Sequence, residues 1–282
     1  MKYFFNLTVV IFIFLYLPVL SNAQTILKFS NGEEITVSEI DFSYKSIRKV
    51  NLGVNLGLNG LADIQFFNAS YIAPDKLYLS LNTGIAGGHV ESIIFLKGKT
   101  IEKNKMIALK YENETPRILT RYIAEVTVEK RKQVGLYLAV SDYGNIFNMY
   151  KGDPDLGVAS YDNNVTNLTT IYVGVGFVNY WNAKIKIDDK YKRRVLFMGK
   201  SIIAPFVCTN GNVVNDRSQN ILPAYGARIT YDFFGTTSLF GLTLNMKTGL
   251  DLFQRKGKDP ENIFKQTGAA PIFSVGLGLS TL

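Results

Sequence analysis

Val50-Asn51-Leu52-Gly53-Val54-Asn55-Leu56-Gly57-Leu58-Asn59 alternates without a break between aliphatic residues and Asn or Gly. In an extended chain successive side chains point to opposite faces. Val50, Leu52, Val54, Leu56 and Leu58 therefore share one face, and Asn51, Gly53, Asn55, Gly57 and Asn59 share the other. A helix would scatter the same residues around its circumference. The segment reads as a strand with one apolar face and one face of small polar residues.

The same period recurs to the C-terminus. Leu77, Leu79, Leu81 and Thr83 alternate with Tyr78, Ser80, Asn82 and Gly84, and Val134, Leu136, Leu138 and Val140 form another apolar row. Ile171, Val173, Val175 and Phe177 are interleaved with Tyr172, Gly174 and Gly176. Tyr225, Ala227, Ile229, Tyr231 and Phe233 alternate with Gly226, Arg228, Thr230 and Asp232. Leu242 to Leu252 and Phe273 to Leu279 repeat the pattern. These stretches are longer than the roughly 5–6 residues of a soluble strand and suit the roughly 9–11 of a tilted membrane-spanning one. Their polar face is rich in Gly, Ser and Asn rather than in Lys and Glu, as a crowded lumen requires.

Strands are expected near 48–59, 62–72, 75–86, 90–98, 104–112, 118–129, 132–143, 169–181, 194–206, 223–234, 238–253 and 271–281. Numbering the connections from the first strand puts the long ones, 144–168, 207–222 and 254–270, all on one side. The tight turns at Ala73-Pro74, Lys130-Arg131 and Gly235 to Thr237 fall on the other, with 182–193 as a long exception there. Long outer loops and short periplasmic turns are the asymmetry of outer-membrane barrels. Tyr225 and Phe273 at strand starts, with Trp181 and Phe233 at strand ends, share parity with the apolar rows and fit two interfacial girdles. The fold expectation is all-β: an antiparallel up-and-down transmembrane β-barrel of 12 strands, with 8 to 14 compatible with the pattern.

Upstream, Lys2 precedes an apolar run from Val9 to Leu20, and Ser21-Asn22-Ala23 ends in small residues before Gln24. That is the form of an export signal, residues 1–23; the run is shorter than the roughly 20 residues of a spanning helix. Residues 24–46 carry Asn31-Gly32 between Ile26-Leu27 and Ile35-Thr36-Val37, a hairpin signal, and read as a periplasmic lead-in to a barrel over 47–282, or equally as the first hairpin of the barrel. One cysteine, Cys208, precludes an internal disulfide and favours a bacterial envelope. The net charge of +8 comes from basic residues scattered among expected turns, a solvated rim with no nucleic-acid motif.

The chemistry-bearing residues are few. Arg121 with Glu125, Arg228 with Asp232, and Lys247 with Asp251 fall on lumen parity. Members four apart along a strand lie about 13 Å apart, so each must pair across strands. They form a candidate lumen charge network, filling the barrel or lining a pore. His89, the single histidine, stands beside Glu91 and Ser92 at an expected outer rim. Ser92 points to the opposite face, so no local triad forms, and His89 reads as a surface residue. One His and one Cys make a poor metal set, and Asp153, Asp155 and Asp162 match no defined Ca²⁺ loop. No catalytic residue, cofactor or metal is expected.

From Val50 to Leu282 the chain resembles the β-barrel proteins of Gram-negative outer membranes, on its leader, alternation and loop asymmetry. Such barrels typically end on an aromatic residue, whereas this chain ends Gly278-Leu279-Ser280-Thr281-Leu282. The resemblance implies insertion into outer-membrane lipid by the barrel-assembly machinery and a pore-like or structural, surface-recognition role, with small solutes as possible cargo. The alternative is a soluble exported β-protein, lipocalin-like or a sandwich, that binds an apolar ligand.

Overall fold

The computed structural model describes residues 25–280 except 30–31, 33, 38, 48–49, 60–61, 85–86, 116–117, 154–157, 187–191, 215–219, 222–224, 237–241 and 259–262. The expected leader and the last two residues lie outside the described residues. The elements are β1 (Thr25–Lys28), β2 (Glu34–Val37), β3 (Glu39–Asp41), a 3-10 turn (Tyr44–Ser46), β4 (Val50–Asn59), β5 (Ala62–Ala73), β6 (Leu77–Gly84), β7 (Gly87–Thr115), β8 (Ile118–Asp153), β9 (Val158–Lys186), β10 (Lys192–Val214), β11 (Asn220–Ile221), β12 (Tyr225–Thr236), β13 (Leu242–Lys258) and β14 (Ile263–Ser280).

Ten of these strands, β4 to β10 and β12 to β14, pair antiparallel with their neighbours, and β14 pairs back onto β4 to close a barrel. Following Cα partners once around from Leu242 returns to β13 at Gln254, twelve residues further along. With about 3.3 Å per residue and about 4.8 Å between strands, that offset tilts the strands by about 40° and sets a radius of about 10 Å. The end that carries β1–β3 is called proximal here, and the other distal.

Two expected strand breaks are absent. Residues 90–98 and 104–112 belong to the single strand β7, and 118–129 and 132–143 to β8, so the barrel has ten strands where the sequence suggested twelve. Lys130-Arg131 is not a turn: Lys130 pairs with Ile101 and Arg131 with Thr100 in mid-ladder. The lysine-rich stretches that read as turns are strand residues of a hairpin running out of the proximal end. Exposed charged residues such as Lys97, Lys99, Glu102, Lys103 and Lys132 occupy strand positions there, so charge does not mark a break. A bulge at Leu96, between the Phe95 and Lys97 pairs, bends the strand where it leaves the barrel.

Losing two strands preserves parity, so the long connections still share the distal end. They are mostly continued hairpins: β8 runs to Asp153 before β9 begins at Val158, and β13 runs to Lys258 before β14 begins at Ile263. The long exception at 182–193 also shrinks, since β9 continues to Lys186 and β10 starts at Lys192.

The alternating rows keep their faces. Val54, Leu56, Val173, Ile203, Leu244 and Leu277 point outward and are 39–67% exposed. Asn51, Asn55, Ser80, Asn82, Thr230 and Ser274 point inward and are buried.

At the proximal end the wall splits. β8 follows β9 only as far as the Arg131–Tyr180 pair, after which β3 takes the vacated edge through Glu39–Lys186 and Asp41–Lys184. The N-terminal segment fills the gap: Phe29 bridges to Ala124, and the Glu129 amide donates to the Phe42 carbonyl at 3.2 Å. A second apolar core, of Phe29, Val37, Ile107, Val126, Val128, Trp181 and Ile185, forms outside the barrel. Trp181 is consequently not an open girdle residue. It stacks on Phe197 at 6.3 Å and is 8% exposed, while Phe233 packs edge-on against the same Phe197.

Candidate functional site

The concentration of chemistry is in the lumen, assembled by inward positions of strands distant in sequence. On β12 and β13, Arg228 and Asp251 are Cα partners. The guanidinium donates from Nε at 2.7 Å and from Nη2 at 2.6 Å to the two carboxylate oxygens, with both side chains at most 1% exposed. The Arg228 guanidinium lies 4.4 Å from the Tyr172 ring centroid. Four residues further along β12, nearer the proximal end, Asp232 pairs with Lys200 of β10 at 2.7 Å, and Lys200 also pairs with Glu91 of β7. Its ammonium also stands 4.6 Å from the Tyr78 ring.

Glu91 is the junction of the network. Tyr137 donates to its Oε2 at 3.2 Å, and His89 Nε2 lies 3.5 Å from the same oxygen and 3.4 Å from the Tyr137 hydroxyl. His89 is fully buried, with its ring edge-on to Tyr172 at 5.7 Å. The expectation of a surface histidine is therefore corrected: the ladder places His89 opposite Ser141 and Asn82, inside the wall. Its parity with Glu91 was legible, but its height in the barrel was not, because the tilt is set by the register of all ten strands.

Four residues of the expected charge network, Arg228, Asp232, Lys247 and Asp251, face the lumen. They pair across strands rather than along them, Arg228 with Asp251 and Asp232 with Lys200. Arg121 and Glu125 do not join them. Both sit on the proximal hairpin, where Arg121 is the backbone partner of Tyr111 and Glu125, partner of Met106, is exposed. Lys200, Glu91 and His89 are the members that the sequence pattern did not assign to the network. The signal for Lys200 was present, since Ile202, Ala204 and Phe206 share its parity. It lay in a stretch of weak alternation, with apolar residues on both faces.

Among the described residues three cations, Lys200, Arg228 and Lys247, thus stand with three carboxylates, Glu91, Asp232 and Asp251, and their charges balance. The space between them is filled. Tyr137, Tyr172, Ile93, Ile202, Lys200 and Arg228 are each at most 2% exposed. Among the described residues a cavity of about 40 Å³ lies beside Asn55, Asn82, Lys200, Asp232, Asn245 and Lys247, a size that suits about three water molecules.

The proximal mouth is closed by the 3-10 turn. Tyr44 packs edge-on against Tyr180 at 6.0 Å, and Asn182 donates to the Ser46 hydroxyl at 2.8 Å. Asp75, in the turn between β5 and β6, accepts from Tyr44 at 2.9 Å, from Arg131 Nε at 2.7 Å and from Gln133 at 2.9 Å.

Cys208 is buried on the inner face of β10, 3.2 Å from the Thr170 hydroxyl. Among the described residues no group of three or more His, Cys, Asp or Glu is placed to hold a metal ion. No family model, curated protein or solved structure matches the chain.

Proposed function

We propose that this chain is an integral β-barrel of a bacterial outer membrane whose lumen is occluded, and that it acts through its surfaces rather than by passing solutes. The observation that carries this reading is the inverted distribution of polarity. A closed barrel puts Leu, Val, Ile and Phe on its outside around the whole circumference and puts ion pairs, amides and hydroxyls inside. A soluble barrel built to hold an apolar ligand needs the reverse. In hydrocarbon every backbone polar group must find a protein partner, and a closed ladder supplies them all. The export signal read at residues 1–23 agrees with this placement.

Occlusion favours a structural or recognition role over a pore. The buried ion pairs brace the wall from within, and the β8–β9 and β13–β14 hairpins continue beyond the apolar belt at the distal end. Loops and hairpin tips on a rigid barrel are where recognition usually sits.

The test is fractionation of cells expressing the full chain, gel mobility of the membrane fraction with and without heating, and conductance in planar bilayers. The expected result is recovery in the outer membrane, a fast-migrating unheated form and no steady conductance. Recovery as a soluble protein would overturn the membrane reading. A steady, solute-selective conductance would overturn occlusion.

A further inference from the structure

The hairpin that leaves the proximal end sorts its charges by face. In the ladder Lys97 pairs with Val134, Lys99 with Lys132, Ile101 with Lys130, Lys103 with Val128, Lys105 with Val126 and Ile107 with Ala124. Directly opposite residues share a face, so these twelve lie on one face, the same one that carries Leu136, Leu138 and Val140 outward higher on β8. It holds six lysines and no carboxylate; its far part, Ile107, Ala124, Val126 and Val128, is buried in the second apolar core, so the open part is the one nearest the barrel, around Lys97, Lys99 and Lys132. Glu102, Glu125 and Glu129 all fall on the opposite face.

The lysines are placed where the apolar belt ends. Leu96, 74% exposed, and Ile94, 45% exposed, are the last outward apolar residues of β7 in the belt, and Lys97 and Lys99 follow directly. Lys132 stands immediately proximal to Val134, the first residue of the outward row on β8. Lys97, Lys99, Lys103 and Lys132 are exposed. Lys105 lies with its ammonium 5.5 Å from the Trp181 ring. Partial burial together with the neighbouring Lys132, Lys105 and Lys103 pushes the Lys130 ammonium's pKa below its ordinary value, as expected of cations crowded on one side of a sheet.

We infer that this lysine face is a binding surface for the anionic headgroups of phospholipids in the leaflet at the proximal end, which anchors the hairpin against the membrane. The inference rests on the membrane reading above. Crowding like charges without carboxylates to relieve them is unfavourable in water alone, and an anionic surface turns it into attraction. Clusters of four to eight basic residues beside a membrane segment attract anionic lipid in this way, with a short range set by salt. Continuity with the belt selects lipid over a soluble anion, since the ammonium groups begin where acyl chains would give way to headgroups.

The experiment uses the full chain folded in a neutral detergent, with the fast-migrating unheated form as the check of the barrel. Retention of short-chain phosphatidylglycerol and phosphatidylcholine is compared by native mass spectrometry, for the wild type and for a variant carrying Lys97→Gln, Lys99→Gln, Lys130→Gln and Lys132→Gln. A second variant, Lys45→Gln with Lys76→Gln, changes lysines away from this face. The expected result is a preference for phosphatidylglycerol of about tenfold or more, lost in the quadruple variant, kept in the double variant and weakened by 0.5 M salt. Equal retention of the two lipids, or a quadruple variant that still prefers phosphatidylglycerol, would overturn the inference while leaving the barrel standing. Displacement of the lipid by millimolar inorganic phosphate would overturn it in favour of a soluble anion. Absence of a heat-modifiable form would instead remove the membrane reading itself.

Discussion

Arg228 and Asp251 face each other as Cα partners on adjacent strands and close a two-bond fork at 2.7 and 2.6 Å in the interior of the barrel, with neither side chain more than 1% exposed. A buried pair of this kind contributes modestly as a pair, because desolvation offsets the attraction, but each half depends on the other. Arg228→Met alone is therefore expected to destabilise the folded barrel by about 3–5 kcal/mol, since it strands a buried carboxylate. Combining it with Asp251→Leu should recover most of that loss. Urea unfolding in lipid vesicles measures both; equal losses in the single and double variants would contradict the account.

The outward rows predict a depth-dependent penalty. Val173 on β9, Cα partner of Leu138, lies in the middle of its row, whereas Leu279 is close to the end of β14. Val173→Arg should cost about 2–4 kcal/mol and Leu279→Arg about 0–1 kcal/mol, as expected for midplane and interfacial positions of a lipid-embedded barrel. Identical small effects at both sites in vesicle-based unfolding would argue that the belt faces water.

Asp75 holds a positive φ of 64° in the turn closed by the Lys76 amide donating to the Ala73 carbonyl. Pro74 supplies the preceding residue with its φ already set. An aspartate tolerates this backbone, and its carboxylate ties together Tyr44, Arg131 and Gln133. Asp75→Gly keeps the backbone and loses the ties, while Asp75→Ala loses both. The alanine variant should be the less stable by about 1 kcal/mol. In both, limited proteolysis should cut the N-terminal segment faster than in wild type. An alanine variant as stable as the glycine variant would remove the backbone argument.

Gly176 permits close packing in the lumen. A Cβ there would come within 2.7 Å of the Ile93 Cδ1, and Ile93 is fully buried. Gly176→Ala is expected to cost about 1–3 kcal/mol through overpacking, and Ile93→Val in the same chain should return part of it. A Gly176→Ala barrel of wild-type stability would mean that Ile93 has room to move.

Much of the wall was legible in the chain because its cause is local. A strand presents residues to two sides, and one side of this one must be apolar, so Leu52, Leu79, Leu138, Val173, Ile229, Leu250 and Val275 declare their face by spacing alone. The same logic fails where the belt ends. From Lys97 to Lys105 and from Lys130 to Lys132 charged residues occupy both faces of the strands, and two continuous strands read as four.

The network followed the same division. Arg228, Asp232, Lys247 and Asp251 could be assigned to the lumen by parity, and the rise along a strand required cross-strand partners. Which partners they take was beyond local reasoning: Lys200 meets Glu91 across 109 residues of sequence. Arg121 and Glu125 have lumen parity too, yet lie on the hairpin outside the barrel because β8 leaves β9 at Arg131.

By itself, then, the amino-acid sequence determined the strand character and the two faces, since both follow from steric alternation and the need to separate apolar from polar groups. The tertiary structure decided the closure on ten strands, the twelve-residue offset around the barrel, the burial of His89 and the insertion of β3 and the N-terminal segment where the wall opens. Those depend on register summed over strands far apart in the chain, and no local pattern carries that sum.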